Sequence, residues 1–372
     1  MTPDPDADAD VGVGGWPLGP FTRRGQVLGT LPDVSFDCPV QGGLVRWAAK
    51  DVFNPAAVVH DGRVHLLFRA EDQVGRYNGT SRIGLAVSDD GVTFAAGPEP
   101  VLFPDDDPWQ AWEWPGGCED PRVVEAPDGS FVCLYTAFDG KHGCLCVATS
   151  PDLRVWTKHG PAFAGTPQAR LWSKSGAVVT EVRDGRLVAA EIGGRYWMYW
   201  GEGICFAATS DDLVHWTPLT FEVPDRYLTH QADTGSWSLH RVAGGPPTLR
   251  PLLFPRPGRF DSLLVEPGPP ALRTEAGVLL VYNGANHPST GDPSLPAFAY
   301  QPGQALFDAN DPASCIARTG QPFLRAEGAD EQQGQVDQVC FAQSLVLFGG
   351  EWLLYFGMAD SRIGCAAAPL TS

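Results

Sequence analysis

Apolar runs broken by tight polar turns recur along the whole chain. The first clear instance is Asn54-Pro-Ala-Ala-Val-Val-His-Asp-Gly-Arg-Val-His-Leu-Leu-Phe-Arg69, followed by Ile83–Gly91 and Phe94. A second copy runs from Asp120 through Asp128-Gly129 to Tyr135, then Cys144–Ser150, Leu153 and Trp156. A third passes from Gly176 through Asp184-Gly185 to Trp200, then Ile204–Ser210 and Trp216. The fourth and fifth turn at Glu275–Gly277 and at Gly349-Gly350. Asp-Gly between apolar runs marks a β-hairpin, because glycine accepts the positive φ that the turn needs. Each copy reads strand, turn, strand, loop, strand, turn and closing aromatic, and no amphipathic helical pattern competes with it. A unit of this kind cannot bury both faces alone, so copies packed radially are the expected solution. The pattern predicts an all-β fold, a five-bladed β-propeller over residues 51–372. Residues 1–50 form an N-terminal extension and closing segment, and the stretches 221–260 and 287–302 form loops over the rim.

Composition agrees with many turns between short strands. The chain has 372 residues, 43% hydrophobic, with 43 Gly, 34 Pro, 12 Trp and 19 Phe. Its net charge of −18 and few lysines argue against binding to nucleic acid or an anionic membrane surface. Met1–Asp10 is acidic and lacks the basic and apolar regions of a secretory signal, and no stretch is apolar enough for a transmembrane helix. Nine cysteines without a CxxC pair suit buried packing in a reducing cytoplasm, and Cys144 and Cys146 fall on one face of a strand. The eight histidines show no metal-binding spacing, so no metal or other cofactor is expected.

In a propeller the first strand of each blade lines the axis, so polar residues at those strand ends converge. They are Asn54, Glu119 with Asp120 and Arg122, Lys174, Glu266 and Asp337. Arg69, Glu71 and Asp72, Glu202, and Asp360 follow second strands. Singly, each is as readily a turn cap or loop anchor. As a set they are more telling, because five blades aim these ends at one place, and a neutral ligand such as a sugar fits the acidic chain.

Several phrases resemble glycoside hydrolase family 130. They are Phe68-Arg-Ala-Glu71, Ser81–Gly91, Cys118-Glu-Asp-Pro-Arg122, Gly268-Pro-Pro270, Leu280-Val-Tyr282 and Tyr355-Phe-Gly-Met-Ala-Asp360, in the family's order and over nearly all the chain after about residue 40. The resemblance implies the five-bladed propeller and action on β-mannosides, by phosphorolysis or by hydrolysis. In the phosphorylases the aspartate of Glu-Asp-Pro-Arg is the general acid, here Asp120, and basic residues hold phosphate. This sequence departs from that set. Where a His-Arg pair is expected it reads Tyr199-Trp-Gly-Glu-Gly203, and where a lysine is expected it reads Leu264-Val-Glu-Pro-Gly268. Lys174 survives. A phosphate dianion needs converging cations, which glutamates repel. Water, unlike phosphate, needs a base, and inversion uses an acid and a base carboxylate about 6.5–9.5 Å apart. Glu202 and Glu266 resemble the glutamates of the family's mannosidases and form the expected acid/base pair, with Asp120 either a sugar ligand or itself the acid. The resemblance implies mannose contacts from Asn54, Arg69, Arg82, Asp120, Arg122 and Asp360. Lys174 is a phosphate remnant, a sugar ligand or an ion-pair partner, while Trp200 and Tyr282 are either stacking platforms or core.

The expected activity is inverting hydrolysis of terminal β-mannosides, with an oligosaccharide as partner. The alternatives are a mannoside phosphorylase, a related propeller glycosidase acting on arabinosides or xylosides, and a glycan-binding propeller without catalysis. Long inserts suggest a closed pocket and exo action, and a homo-oligomer is compatible with the sequence.

Overall fold

The computed structural model describes residues 16–73, 79–221, 226–231, 236–241 and 248–370. Met1–Asp10 lies outside the described residues. Strands dominate, and among the described residues the only helices are the single turns Gln110–Glu113 and Ala329–Gln332.

The predicted hairpins form where the turn residues require them. Asp61-Gly62 and Asp184-Gly185 both adopt positive φ (50° and 70°, 51° and 75°), the paired left-handed conformation of a two-residue hairpin turn. A second recurring device follows the third strand of three copies. Asp90, Asp152 and Asp212 each accept two backbone N–H groups from the residues just after them, and Ser88, Ser150 and Ser210 brace the same turns.

The strands assort into successive antiparallel sheets. The first comprises Asp51–His60, Arg63–Glu71, Ser81–Ser88 and Ala95–Ala96. The second comprises Gly117–Glu125, Phe131–Phe138, Gly143–Ser150 and Thr157–Pro161. The third begins at Ala177–Arg183 and continues through Arg195–Trp200, Cys205–Ser210 and Trp216–Pro218. In the fourth the inner strand is split, Leu264–Pro267 and Ala271–Thr274 both pairing with Gly277–Ala285, which leads to Tyr300–Phe307 and Cys315–Arg318. The fifth joins Cys340–Phe348, Glu351–Met358 and Arg362–Pro369, and Thr22–Leu28 supplies its outer strand. Part of the segment before residue 51 therefore belongs to the last sheet of the chain, while Phe36–Cys38 and Gly43–Val45 pair with each other as a separate hairpin. Within the stretch 221–260, Arg226–Gln231 and Ser236–Arg241 pair as a separate hairpin.

Five apolar clusters lie between these sheets. One packs Leu67, Leu85, Tyr135 and Leu145 between the first and second, and the next packs Leu134, Val147, Met198 and Trp200 between the second and third. The third and fourth share Val179, Tyr199, Leu280 and Tyr282, and the fourth and fifth share Leu279, Val281, Leu354 and Phe356. The last joins the fifth back to the first through Tyr355, Leu353, Phe68 and Val64. Burial of apolar area on this scale is the main source of stability.

Candidate active site

Two inner strands kink at polar residues. Register slips between Phe53 and Pro55 and between Glu119 and Arg122, leaving Asn54 and Asp120 at φ 47° and 48°. Asn and Asp tolerate this region better than other side chains, and a bulge re-aims the side chain it carries. Ser175 and Asp360 also have positive φ (58° and 50°). Backbone strain of this kind gathers at functional sites.

The kinked residues line a cavity of about 220 Å³, together with Arg69, Lys174, Glu202, Glu266 and Tyr300. Phe53, Phe341, Val339 and the segment Gln335-Val336 complete its wall. Arg69 is the hub of one side. Its guanidinium donates to Asp120 at 2.9 Å, to Glu71 at 2.8 Å and to Glu119 at 3.0 Å. Asn54 Nδ2 donates to Asp120 Oδ1 at 2.6 Å. Lys174 Nζ faces Asp120 Oδ2 at 3.5 Å and Glu202 Oε1 at 3.8 Å. Glu202 also accepts from the Trp172 indole N–H at 2.8 Å, and Glu266 accepts a short hydrogen bond from the Ser175 hydroxyl.

These contacts divide the acids into two states. Burial opposes ionisation of Asp120, but Arg69, Lys174 and Arg122 outweigh it and hold this carboxyl well below the usual range. For Glu266, burial pushes the carboxyl up to about 7; Glu202 adds to the rise, while Lys174, Arg122 and Ser175 oppose it. Burial likewise raises Asp360 to about 7, against the pull of Arg69. Glu119 is also lifted to about 7 by burial, with Arg69 opposing and Asp120 adding. Lys174 is buried too, yet the surrounding carboxylates, Glu202 and Asp120 foremost, keep it charged.

Of the residues singled out in the sequence, Asn54, Arg69, Asp120, Lys174, Glu202, Glu266 and Asp360 meet in this one cavity. Four expected contacts do not line it. Trp200 is fully buried between the second and third sheets, its ring 4.6 Å from Phe163 and 5.0 Å from Phe206. Tyr282 is equally buried, and its hydroxyl is engaged with Asp261 at 2.8 Å and Arg318 at 3.1 Å. Neither ring has a free face for a sugar. Arg82 is sealed in an ion pair with Asp72 at 2.6 Å and lies over the Phe36 ring. Arg122 reaches across instead to the carbonyls of Pro267 and Gly268, at 3.1 and 3.4 Å, tying the strand of Asp120 to that of Glu266. Asp337 is exposed and accepts from the Gly334 N–H, while its neighbours Gln335 and Val336 line the cavity.

Sequence reasoning passed over Trp172, Ser175 and Tyr300. Trp172 and Ser175 flank Lys174 in an otherwise unremarked stretch, so a signal was within reach. Among the described residues no group of three or more His, Cys, Asp or Glu side chains is arranged to hold a metal ion. No helix among them is long and apolar enough to cross a membrane.

Comparison with known proteins places this cavity in context. The model of the family described as beta-1,4-mannooligosaccharide phosphorylase matches residues 34–372. A 1,2-beta-oligomannan phosphorylase of Thermoanaerobacter sp. is 28% identical over 330 residues, covering 86% of this chain and 90% of its own. Solved structures are nearer in sequence. A putative glycosidase from Bacteroides thetaiotaomicron is 41% identical with a TM-score of 0.85, over 94% of this chain and 97% of that one. Another, 43% identical with a TM-score of 0.86 over 95% of each chain, comes from work on the GH130 family of mannoside phosphorylases, which "contains glycoside hydrolases that target beta-1,2 mannosidic linkages in Candida mannan".

Proposed function

The chain belongs to glycoside hydrolase family 130, and from that membership we propose that it is a cytoplasmic β-mannoside hydrolase working with inversion at the axis of a five-bladed β-propeller. Five successive sheets with an apolar cluster at each junction, the fifth sheet meeting the first, support the propeller reading. One observation carries the choice of hydrolysis. Lys174 is surrounded by the carboxyl groups of Asp120, Glu202 and Glu266, so acids stand where a phosphorylase gathers cations. A phosphate dianion entering there would meet repulsion and lose its hydration shell. Water meets neither penalty and gains a base.

Glu266, with its carboxyl at about 7, carries a proton for much of the neutral range and serves as the general acid. Glu202, met by the indole N–H and the ammonium, accepts a proton from water. Water oxygen bonds to the anomeric carbon as the glycosidic C–O bond breaks, and the departing oxygen takes the Glu266 proton. Asn54, Arg69, Asp120 and Asp360 hold the terminal mannosyl hydroxyls, Asp120 as a permanent acceptor. A 220 Å³ cavity suits one sugar ring, hence exo action.

The test is product analysis on β-mannobiosides, β-1,2-linked first, because the 43%-identical relative's description names that linkage. Mannose released in phosphate-free buffer supports hydrolysis, and phosphate-dependent mannose 1-phosphate establishes the phosphorylase alternative.

A further inference from the structure

Tyr300 opens the third strand of the fourth sheet, Tyr300–Phe307, and its side chain lines the cavity of Glu202 and Glu266. Its position is fixed from two directions. It pairs with Ala285 on the neighbouring strand, and its backbone N–H donates to the Gln338 carbonyl at 2.9 Å. A parallel bridge to Val339 and a ring contact with Phe341 at 6.0 Å complete the seat. Tyr300 therefore sits on the same wall as Gln335 and Val336, the exposed residues of the cavity rim. Among the described residues no protein group hydrogen-bonds its hydroxyl. The fully buried phenols among the described residues are engaged: Tyr135 with Glu113, Tyr199 with the Pro312 carbonyl, Tyr282 with Asp261 and Tyr355 with the Gly91 carbonyl. Tyr300 is half-buried, and a phenol that lines a polar cavity without a protein partner is free to meet a ligand.

The charges around it say which part of a ligand it meets. Burial first, then the carboxylates of Glu266 and Glu202, push the phenol well above its ordinary value, so it stays protonated and acts as a donor. Glu266 is the foremost of its charged neighbours. The rim side of the cavity is where the departing sugar must lie, because the terminal ring fills the inner part.

We propose that Tyr300 is a leaving-group residue, donating a hydrogen bond from its hydroxyl to the departing sugar beside Glu266. The inference rests on the hydrolase reading above. As the anomeric C–O bond breaks, its electron pair passes to the glycosidic oxygen, which takes the Glu266 proton. Tyr300 stabilises the charge gathering there and keeps its own proton.

The variant is Tyr300→Phe, compared with wild type on β-mannobiose and on 2,4-dinitrophenyl β-mannoside. The first has a leaving oxygen that needs help, and the second has one that does not. Loss of one such donor should lower kcat/KM on β-mannobiose roughly 100-fold. On the dinitrophenyl substrate the loss should stay under about threefold. Mannose affinity by calorimetry should match wild type, which reports an intact pocket, and Tyr300→Leu repeats the test with a different apolar side chain. Equal losses on the two substrates, or none on either, would overturn the proposal. The hydrolase reading is judged separately, by whether wild type releases mannose without phosphate. If phosphate is needed, the leaving-group comparison is still readable in the phosphate-dependent reaction.

Discussion

Asn54 and Asp120 occupy matching kinks in the inner strands of neighbouring sheets, and the amide of one donates to the carboxylate of the other at 2.6 Å. Each is followed by a proline and each has φ near 48°. The match explains how two sheets deliver side chains to one point. The same local solution, a bulge at a polar residue before proline, is used in both sheets.

This pair gives the first prediction. Asn54→Ala and Asn54→Gly both remove the amide, so both should raise KM for β-mannosides by about tenfold, the scale of one hydrogen bond to a charged group. Only the alanine variant places a Cβ without a compensating side-chain contact in the left-handed region, a penalty of about 1–2 kcal/mol. Thermal melts should therefore show Asn54→Ala below Asn54→Gly. Equal melting temperatures would show that the kink carries no strain.

The second concerns Glu266, whose carboxyl is raised from 4.5 to about 7. A general acid must be protonated, so kcat/KM should fall as pH rises through about 7. Stability should follow the same direction. The native state binds this proton more tightly than the unfolded chain, so its contribution is full below about 4.5 and is lost as pH rises through about 7. Glu266→Gln should then melt higher than wild type at pH 8, with the gap narrowing at pH 5, while hydrolysis of β-mannobiose falls by at least about 100-fold. A variant that melts lower than wild type at pH 8 would remove the burial argument.

How far the sequence could be read follows from where its signals lie. Asp-Gly turns and the Ser-x-Asp caps are local, so the hairpins and their repetition were visible in the pattern. The cavity acids were visible too, because Glu202, Glu266 and Asp360 sit at strand ends in apolar surroundings. Trp200 and Tyr282 were ambiguous for a physical reason. Each sheet packs on both faces, so alternation gives no inside and outside, and an aromatic at a strand end reads the same in core or pocket. The family resemblance set Arg82 and Arg122 against mannose, yet the side chain of one is paired with Asp72 and that of the other with backbone carbonyls. Tyr300 opens a strand after a long connection and Gln335 lies in another connection, and no local pattern specifies the path of either.

The third prediction separates the two glutamates. Glu202→Gln removes the proposed base, so hydrolysis should fall by at least about 100-fold even with a 2,4-dinitrophenyl leaving group. Azide needs no base, and with the carboxylate neutralised it should enter the vacated water position and restore turnover. The product should be α-mannosyl azide, as inversion demands. If azide rescues Glu266→Gln and leaves Glu202→Gln inactive, the roles are reversed.

Lys174 tests whether the cavity's charge balance is structural as well as catalytic. Its ammonium lies 3.5 Å from Asp120 and 3.8 Å from Glu202. Lys174→Met keeps the stem and deletes the charge, leaving those acids with Arg69 as the cation that still contacts Asp120. Removing one partner from a buried charged set is costly, about 3–5 kcal/mol, because the remaining charges stay desolvated. The loss should be greatest near pH 8 and smaller near pH 5, where the acids relieve their repulsion by taking up protons. Adding Glu266→Gln to Lys174→Met should recover part of the melting temperature at pH 8, since one of the unbalanced acids is then gone. If Lys174→Met melts like wild type at both pH values, the lysine is not what holds these carboxylates together, and the charge argument against phosphate loses its centre.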